Sequence, residues 1–112
     1  MKFHWPALCF LLLSPLAVAS PLDGRALFET NCAACHGAAG EGTAIAPKLA
    51  GDSSHWSAAL FRRAVLTGVD DKGKALKAPM PHWQSSSFTD DDGKPPTKQE
   101  IDAIQHFLRK IK

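Results

Sequence analysis

The sequence is poor in the residues from which several classes of site are built. Its 112 residues contain three cysteines and two methionines, and 13 lysines and arginines stand against 11 acidic residues. This near balance of charge, without a basic stripe, argues against a nucleic-acid partner. No apolar run reaches the roughly 20 residues that a membrane-spanning helix needs. We therefore expect one small domain whose chemistry depends on very few sulfur atoms.

The first 19 residues have the pattern of a cleaved export signal. Lys2 lies at the start, an apolar run covers residues 7–13, and residues 17–19 fit the A-x-A rule for cleavage after Ala19. The run is short and Pro15 interrupts it, so an uncleaved membrane anchor is the less favoured alternative. Cleavage would leave residues 20–112 as a single domain with two cysteines and no membrane span.

Both remaining cysteines lie in the segment Cys32-Ala33-Ala34-Cys35-His36. This spacing is typical of covalent c-type haem attachment. On a helical turn, residues i and i+3 share one face, so both thiols can reach the vinyl groups of one porphyrin. The next residue, a histidine, can then ligate the iron. Because bacteria attach haem c outside the cytoplasm, the motif and the export signal support each other, and we predict a periplasmic protein with one covalent haem c.

Two other interpretations of the cysteine pair stay open at this stage. A thioredoxin-like redox pair would need a βαβ setting, and the neighbouring sequence shows no strand pattern. Half of a zinc site would need two further ligands from scattered histidines.

Apolar periodicity predicts three helices. The first covers Gly24–Cys35, with Asp23 or Ser20 as its N-cap. The second covers about His55–Leu66, with Ser53 or Ser54 as its cap and Gly68 as the residue that ends it.

The third helix begins at a capping box formed by Thr97 and Glu100, and its apolar residues continue to Ile111. The polar segment 85–96 before it is expected to be a solvated loop that could serve in docking.

In this order the residues resemble a class I c-type cytochrome. Gly24 and Phe28 lie eight and four residues before Cys32, where that family has a glycine and an aromatic residue. The resemblance implies an all-α, small cytochrome c fold, with three main helices and loops wrapped around one covalent haem. It also implies that the N- and C-terminal helices cross, with Ile104 and Phe107 packed against Gly24 and Phe28.

The resemblance also implies a set of haem contacts. Cys32 and Cys35 would form the thioether bonds, and His36 would be one axial ligand. The Pro47 carbonyl would accept the Nδ1 proton of His36, and Leu49 would touch the ring.

Met80, between two prolines in a loop before the last helix, would be the second axial ligand. His82 is the rival ligand that the residues alone leave open. His55 and His106 are expected to take no part in ligation.

The sixth ligand separates the candidate functions. Two protein ligands leave no open position on the iron, which favours a carrier of single electrons that cycles Fe(III)/Fe(II) between redox protein partners and is not an enzyme. A haem enzyme or gas-binding sensor with a labile or absent sixth ligand is one alternative. An obligate electron-transfer subunit of a periplasmic dehydrogenase or oxidase complex is another. We expect a monomer or a transient complex.

Two sets of charged or polar residues are candidates for supporting roles. A basic patch beside Met80 would steer an acidic partner. Its members are Lys72, Lys74 and Lys77. Donors to the haem propionates are expected among Trp56, Arg62, Arg63, Trp83 and Gln84, for which ordinary packing or solvation is an equally good explanation.

Overall fold

The computed structural model describes residues 22–111, and the regular structure there is helical. The helices are α1 (Gly24–Asn31), α2 (Ala33–His36), α3 (Ala58–Thr67) and α4 (Lys98–Arg109), and 3₁₀ turns cover Ser53–His55 and Trp83–Ser85. None of the helices in this part of the chain is long and apolar enough to cross a membrane. The predicted export signal, residues 1–19, lies outside the described residues.

Helix α4 begins at the predicted capping box. The Thr97 hydroxyl accepts a hydrogen bond from the Glu100 backbone N–H at 3.1 Å, and a Glu100 carboxylate oxygen accepts one from the Thr97 backbone N–H at 2.8 Å. The apolar face of the helix is buried through Ile101, Ile104 and Leu108. The helix ends at Arg109, two residues before the end of the apolar pattern.

Helix α1 packs against α4, so the crossing implied by the family resemblance is confirmed. The Asp23 carboxylate caps α1 by accepting a hydrogen bond from the Ala26 N–H at 3.1 Å. Gly24 lies directly on the backbone of Ala103, at a separation that leaves no room for a Cβ atom. The rings of Phe28 and Phe107 meet at a centroid distance of 5.7 Å.

The predicted helix over Gly24–Cys35 is wrong in one respect, because it breaks at Cys32. The Cys32 N–H still donates to the Phe28 carbonyl at 2.8 Å, but Cys32 has a φ of −125° that is not helical. Its own carbonyl accepts hydrogen bonds from the N–H groups of Cys35 and His36. Cys32 is therefore both the C-cap of α1 and the N-cap of the separate turn α2.

The predicted start of the second helix is also wrong. Residues Ser53–His55 form a 3₁₀ turn, and α3 begins at Ala58 with Ser57 as its cap. The Ser57 hydroxyl accepts a hydrogen bond from the Leu60 N–H at 3.2 Å. Gly68 ends the helix as predicted, with a left-handed φ of 72° that favours glycine.

The segment 85–96 is not simply a solvated loop. Phe88 is buried in the core, and its ring meets Trp83 edge-on at a centroid distance of 4.8 Å. Pro96 is buried as well. The core cluster that these contacts extend consists of Phe28, Phe61, Phe88, Ile101, Ile104 and Leu108.

Two carboxyl groups meet where this segment reaches α4. Glu100 is buried, and the Asp91 Oδ2 atom is buried with no hydrogen-bond donor near it among residues 22–111. Burial raises the pKa of Asp91, and interaction with the nearby Glu100 carboxyl raises that pKa further. Two carboxyl groups can share a hydrogen bond only while one of them keeps its proton, so protonation favours this contact.

We expect Asp91→Asn to raise the free energy of unfolding at pH 7 and to leave it nearly unchanged at pH 4. Because the pKa of Asp91 is higher in the folded state than in the unfolded state, protonation of Asp91 favours the folded state. This stabilisation is complete below the unfolded-state pKa and is lost as the pH rises through the folded-state pKa. The pH range in which wild type loses this stabilisation and Asp91→Asn does not therefore begins near pH 4, the ordinary pKa of aspartate. Urea unfolding of both proteins across this range measures the effect. Asp71→Asn, on an exposed turn, is the control, and an equal effect of both substitutions would contradict the prediction.

Candidate functional site

The three residues of the predicted attachment motif lie on one helical turn. The carbonyl of Cys32 accepts hydrogen bonds from the N–H of Cys35 at 3.2 Å and from the N–H of His36 at 3.0 Å. Both cysteines are half-buried and unbridged, and His36 is buried. Residues at positions i, i+3 and i+4 of one turn project to the same side of the helix. The structure thus brings together the two thiols and the imidazole.

The orientation of the His36 ring is set by one hydrogen bond. Its Nδ1 atom lies 2.8 Å from the carbonyl oxygen of Pro47, which can only accept, so Nδ1 carries the proton. The lone pair is then on Nε2, the nitrogen left to bind a metal. This contact is the one that the family resemblance implies, while the role of Pro47 in holding a cofactor stays a prediction.

Backbone hydrogen bonds hold the 37–51 loop against α2. The Gly42 N–H donates to the His36 carbonyl at 2.7 Å, and the Thr43 hydroxyl donates to the Cys35 carbonyl at 2.5 Å. Gly42 has a φ of 91°, and a Cβ atom there would lie 2.8 Å from the backbone nitrogen of Lys48. Glycine is thus required for the loop to turn back towards His36. Sequence reasoning missed Thr43, because nothing local marks a hydroxyl that bonds eight residues back.

Apolar side chains continue the core into the site. Cys32 and Leu49 are both partly buried and pack against the core cluster. Two neighbouring thiols, an imidazole with its Nδ1 already bonded and apolar walls are the donor set and surroundings that covalent haem requires. The residues present therefore fit haem c.

The Cys32 thiol does not have the properties of a redox-active thiol. Burial raises its pKa to about 12, with repulsion from Cys35 as a smaller cause. A thioredoxin-like pair needs a thiol whose pKa is lowered, so this interpretation is not supported. Nor do residues 22–111 contain a group of three or more His, Cys, Asp or Glu side chains placed to hold a metal, which leaves the zinc interpretation without further ligands there.

Met80 lies in a different segment from the attachment turn. It is half-buried, and its N–H donates to the Lys77 carbonyl at 3.2 Å. Met80 takes no part in the hydrogen bonds that connect Cys35 and His36 to the 37–51 loop. Ligation of iron by Met80 therefore stays a prediction. The imidazole of His82 rests on Gly68 at the end of α3, where it takes the space of a Cβ atom. His55 and His106 are exposed.

The arginines proposed as propionate donors have different surroundings. Arg62 forms a bidentate salt bridge with Asp102 of α4, and both hydrogen bonds are 2.8 Å long. Hydrogen bonding to Arg62 holds the pKa of Asp102 below its usual range. Arg63 donates to the Asp70 carbonyl, while its buried Nε–H has no hydrogen-bond partner within residues 22–111. A buried donor without an acceptor is unusual. Of the two arginines, Arg63 is the one with a buried donor that lacks an acceptor within residues 22–111.

Comparison with known proteins gives three findings. Residues 22–112 match the family model described as Cytochrome c. Over 76 residues the chain is 36% identical to a thiosulfate dehydrogenase from Psychrobacter arcticus, a match that covers 62% of this chain and 22% of that protein. It is also similar to the crystal structure of the sulfane dehydrogenase SoxCD from Paracoccus pantotrophus, with 26% identity and a TM-score of 0.37 over 77% of this chain and 40% of that one. The chain thus spans less than half the length of either protein.

Proposed function

The chain belongs to the cytochrome c family, whose members bind haem c covalently and transfer electrons, and we propose that it is a periplasmic carrier of single electrons. Haem, when bound, supplies a one-electron Fe(III)/Fe(II) couple. In this proposal Cys32 and Cys35 hold the haem, and His36 and Met80 are the axial ligands. The observation that carries the proposal is the 2.8 Å contact between His36 Nδ1 and the Pro47 carbonyl, because it leaves Nε2 free for iron.

The chain's own residues have two tasks in such a carrier. The two thiols fix the cofactor, and the hydrogen bond from His36 keeps the imidazole in one tautomer and one orientation through the redox cycle. Cys32 and Leu49, packed against the core, keep water away from that side of the site. A ligand set that does not move between oxidation states is what electron transfer requires.

Three observations support Met80 as the second ligand. It is the one methionine in the sequence besides Met1. Pro79 and Pro81 restrict the backbone on either side, which lowers the entropy lost when the sulfur is held in place. A thioether is a known axial ligand that raises the haem potential, as suits a carrier.

We expect Met80→Ala to abolish the weak long-wavelength sulfur-to-iron band of the oxidised protein. Loss of the thioether removes the sulfur and opens a coordination position, so carbon monoxide should bind the reduced variant rapidly. Absorption spectra measure both effects. His82→Ala is the matched control, because His82 lies two residues away and rests on Gly68. The assignment fails if the band survives in Met80→Ala or disappears in His82→Ala alone.

The match to a thiosulfate dehydrogenase favours a second, narrower proposal, in which the electron donor is a dehydrogenase acting on sulfur compounds. Because the match covers 22% of that relative, the proposal concerns electron transfer and not catalysis by this chain. The test is to mix the oxidised protein with thiosulfate, with and without a thiosulfate dehydrogenase. Reduction that needs the enzyme supports a carrier. Equally fast reduction by thiosulfate alone would contradict the proposal that a dehydrogenase is the electron donor.

A further inference from the structure

A buried amide and a guanidinium on α4 donate hydrogen bonds to one turn of the chain near the site. The Gln105 Nε2 atom donates to the carbonyls of Ser54 and Trp56 at 3.2 and 2.8 Å. Arg109 donates to the same two carbonyls, from Nε to Ser54 at 2.8 Å and from its terminal nitrogen to Trp56 at 2.9 Å. Each carbonyl therefore accepts two hydrogen bonds from α4.

The burial of these groups shows that the contact is specific. Gln105 is 2% exposed and Ser54 is completely buried. A buried amide costs free energy unless it is hydrogen-bonded, and Gln105 stands among the apolar residues of α4. The planar fork of arginine further fixes the positions of the two carbonyls that it binds. The turn 53–56 is thus held in one position relative to α4.

From this turn, hydrogen bonds lead back to the partner of His36. The Ser54 N–H donates to the Leu49 carbonyl at 3.1 Å, and the N–H groups of Leu49 and Ala50 donate to the Gly40 carbonyl at 2.8 and 3.1 Å. Leu49 is two residues after Pro47, whose carbonyl faces His36. The position of that carbonyl is therefore fixed from both sides of the loop, by Gly40 on one side and through Ser54 by α4 on the other.

We propose that Gln105 and Arg109 are positioning residues that set the hydrogen bond between His36 and Pro47. The inference rests on the proposed function, in which His36 ligates the haem iron. A stronger Nδ1–H···O=C bond makes the imidazole a better donor to iron and favours Fe(III). Loosening the Ser54–Trp56 turn weakens this bond, so the midpoint potential rises.

The test compares Arg109→Lys and Gln105→Met with the wild-type holoprotein. A lysine lacks the arginine fork, and a methionine lacks both amide donors. Each variant is expected to raise the midpoint potential and to speed exchange of the His36 Nδ1 proton about fivefold, the effect of losing one hydrogen bond of ordinary strength. Arg109 is exposed, so Arg109→Lys carries the test if Gln105→Met does not fold.

The matched control is Asp102→Asn on the same helix. It breaks the pair with Arg62 and weakens the contact between α3 and α4, but it leaves the 53–56 turn untouched. The control should lose stability without faster exchange of the His36 Nδ1 proton. Because Asp102→Asn removes a negative charge and so raises the potential by itself, the proton-exchange rate is the readout that separates the control from the two test variants. If Arg109→Lys and Gln105→Met behave like Asp102→Asn, the two residues are merely structural and the inference is wrong.

Failure of the proposed function gives a different result. A wild-type protein without haem would refute the carrier function. In a wild-type protein that folds without haem, exchange of the Ser54 backbone N–H would still report the hydrogen bonds between α4 and the loop. Unchanged exchange of this proton in both variants would overturn the inference in that case too.

Discussion

The variant with both Cys32 and Cys35 replaced by alanine is expected to be recovered without covalent haem and to lose its cooperative unfolding transition. The bonds to haem are lost with the two sulfurs. The fold is lost because the core is small: eight apolar residues are buried within residues 22–111, and two of them are alanines. A domain of this size needs a further apolar group to be stable. Mass spectrometry of the denatured protein and urea unfolding followed by circular dichroism measure the two effects.

The single variants and one neutral substitution complete this experiment. Cys32→Ala and Cys35→Ala should each retain one thioether bond, so haem stays attached but the unfolding midpoint falls. Ala34→Ser, at the exposed position between the cysteines, should behave as wild type. A double variant that keeps the added mass of haem would show that the two thiols are not the points of attachment.

Gly24→Ala is expected to lower the free energy of unfolding by about 1–3 kcal/mol, the usual effect of overpacking. In an ordinary helix the same change would stabilise the protein by roughly 0.5–1 kcal/mol. The sign of the change in unfolding free energy therefore shows whether the two helices leave room for a Cβ atom at Gly24. The new Cβ atom would collide with the main-chain carbonyl of Ala103, and no side-chain rotation can relieve this collision. Helices α1 and α4 would have to separate, at the expense of the contact between Phe28 and Phe107.

Urea unfolding measures the effect of Gly24→Ala, and a second substitution tests its cause. Because the collision is with main-chain atoms, Ala103→Gly should not rescue Gly24→Ala. Rescue would show that the crossing is controlled by the Ala103 side chain. A stabilised Gly24→Ala protein would show that the two helices are further apart than described.

Sequence patterns predicted the parts of the fold that depend on local or motif-level information. The capping box is a motif of four residues, Thr97 to Glu100, that marks the start of α4. The amphipathic pattern then identifies the buried face of this helix. Resemblance to the cytochrome family added the crossing of α1 with α4 and the contact between His36 and Pro47. The capping box and the buried face of α4 are local features, whereas the crossing joins distant parts of the chain and was predicted only from the family pattern.

The parts that were missed depend on distant partners. The helix break at Cys32 leaves the i, i+3 spacing unchanged, so periodicity cannot reveal it. The start of α3 at Ala58 differs from the predicted start near His55, because the preceding turn is held by donors from α4, about fifty residues further along the chain. Phe88 is one apolar residue in a polar segment, and its burial depends on Trp83.

Gln105 is different, because a signal for it was present in the sequence. A glutamine stands between Ile104 and Leu108 in the apolar pattern of α4. A polar residue at such a position is buried only when it has partners, so it pointed to a hydrogen-bonded contact with another segment. The identity of that segment, the turn at Ser54 and Trp56, could not be read from the sequence, because no pattern specifies which carbonyls face a helix.

The contact between α1 and α4 also affects the order of events while the chain is made. The two helices are separated by the 66 residues between Asn31 and Lys98. Since synthesis proceeds from the N-terminus at roughly 5–20 residues per second, the cysteines emerge several seconds before the helix that completes their surroundings. Closing so long a loop adds to this delay. The local hydrogen bonds of the attachment turn can therefore form before α4 is available to pack against Gly24 and Phe28.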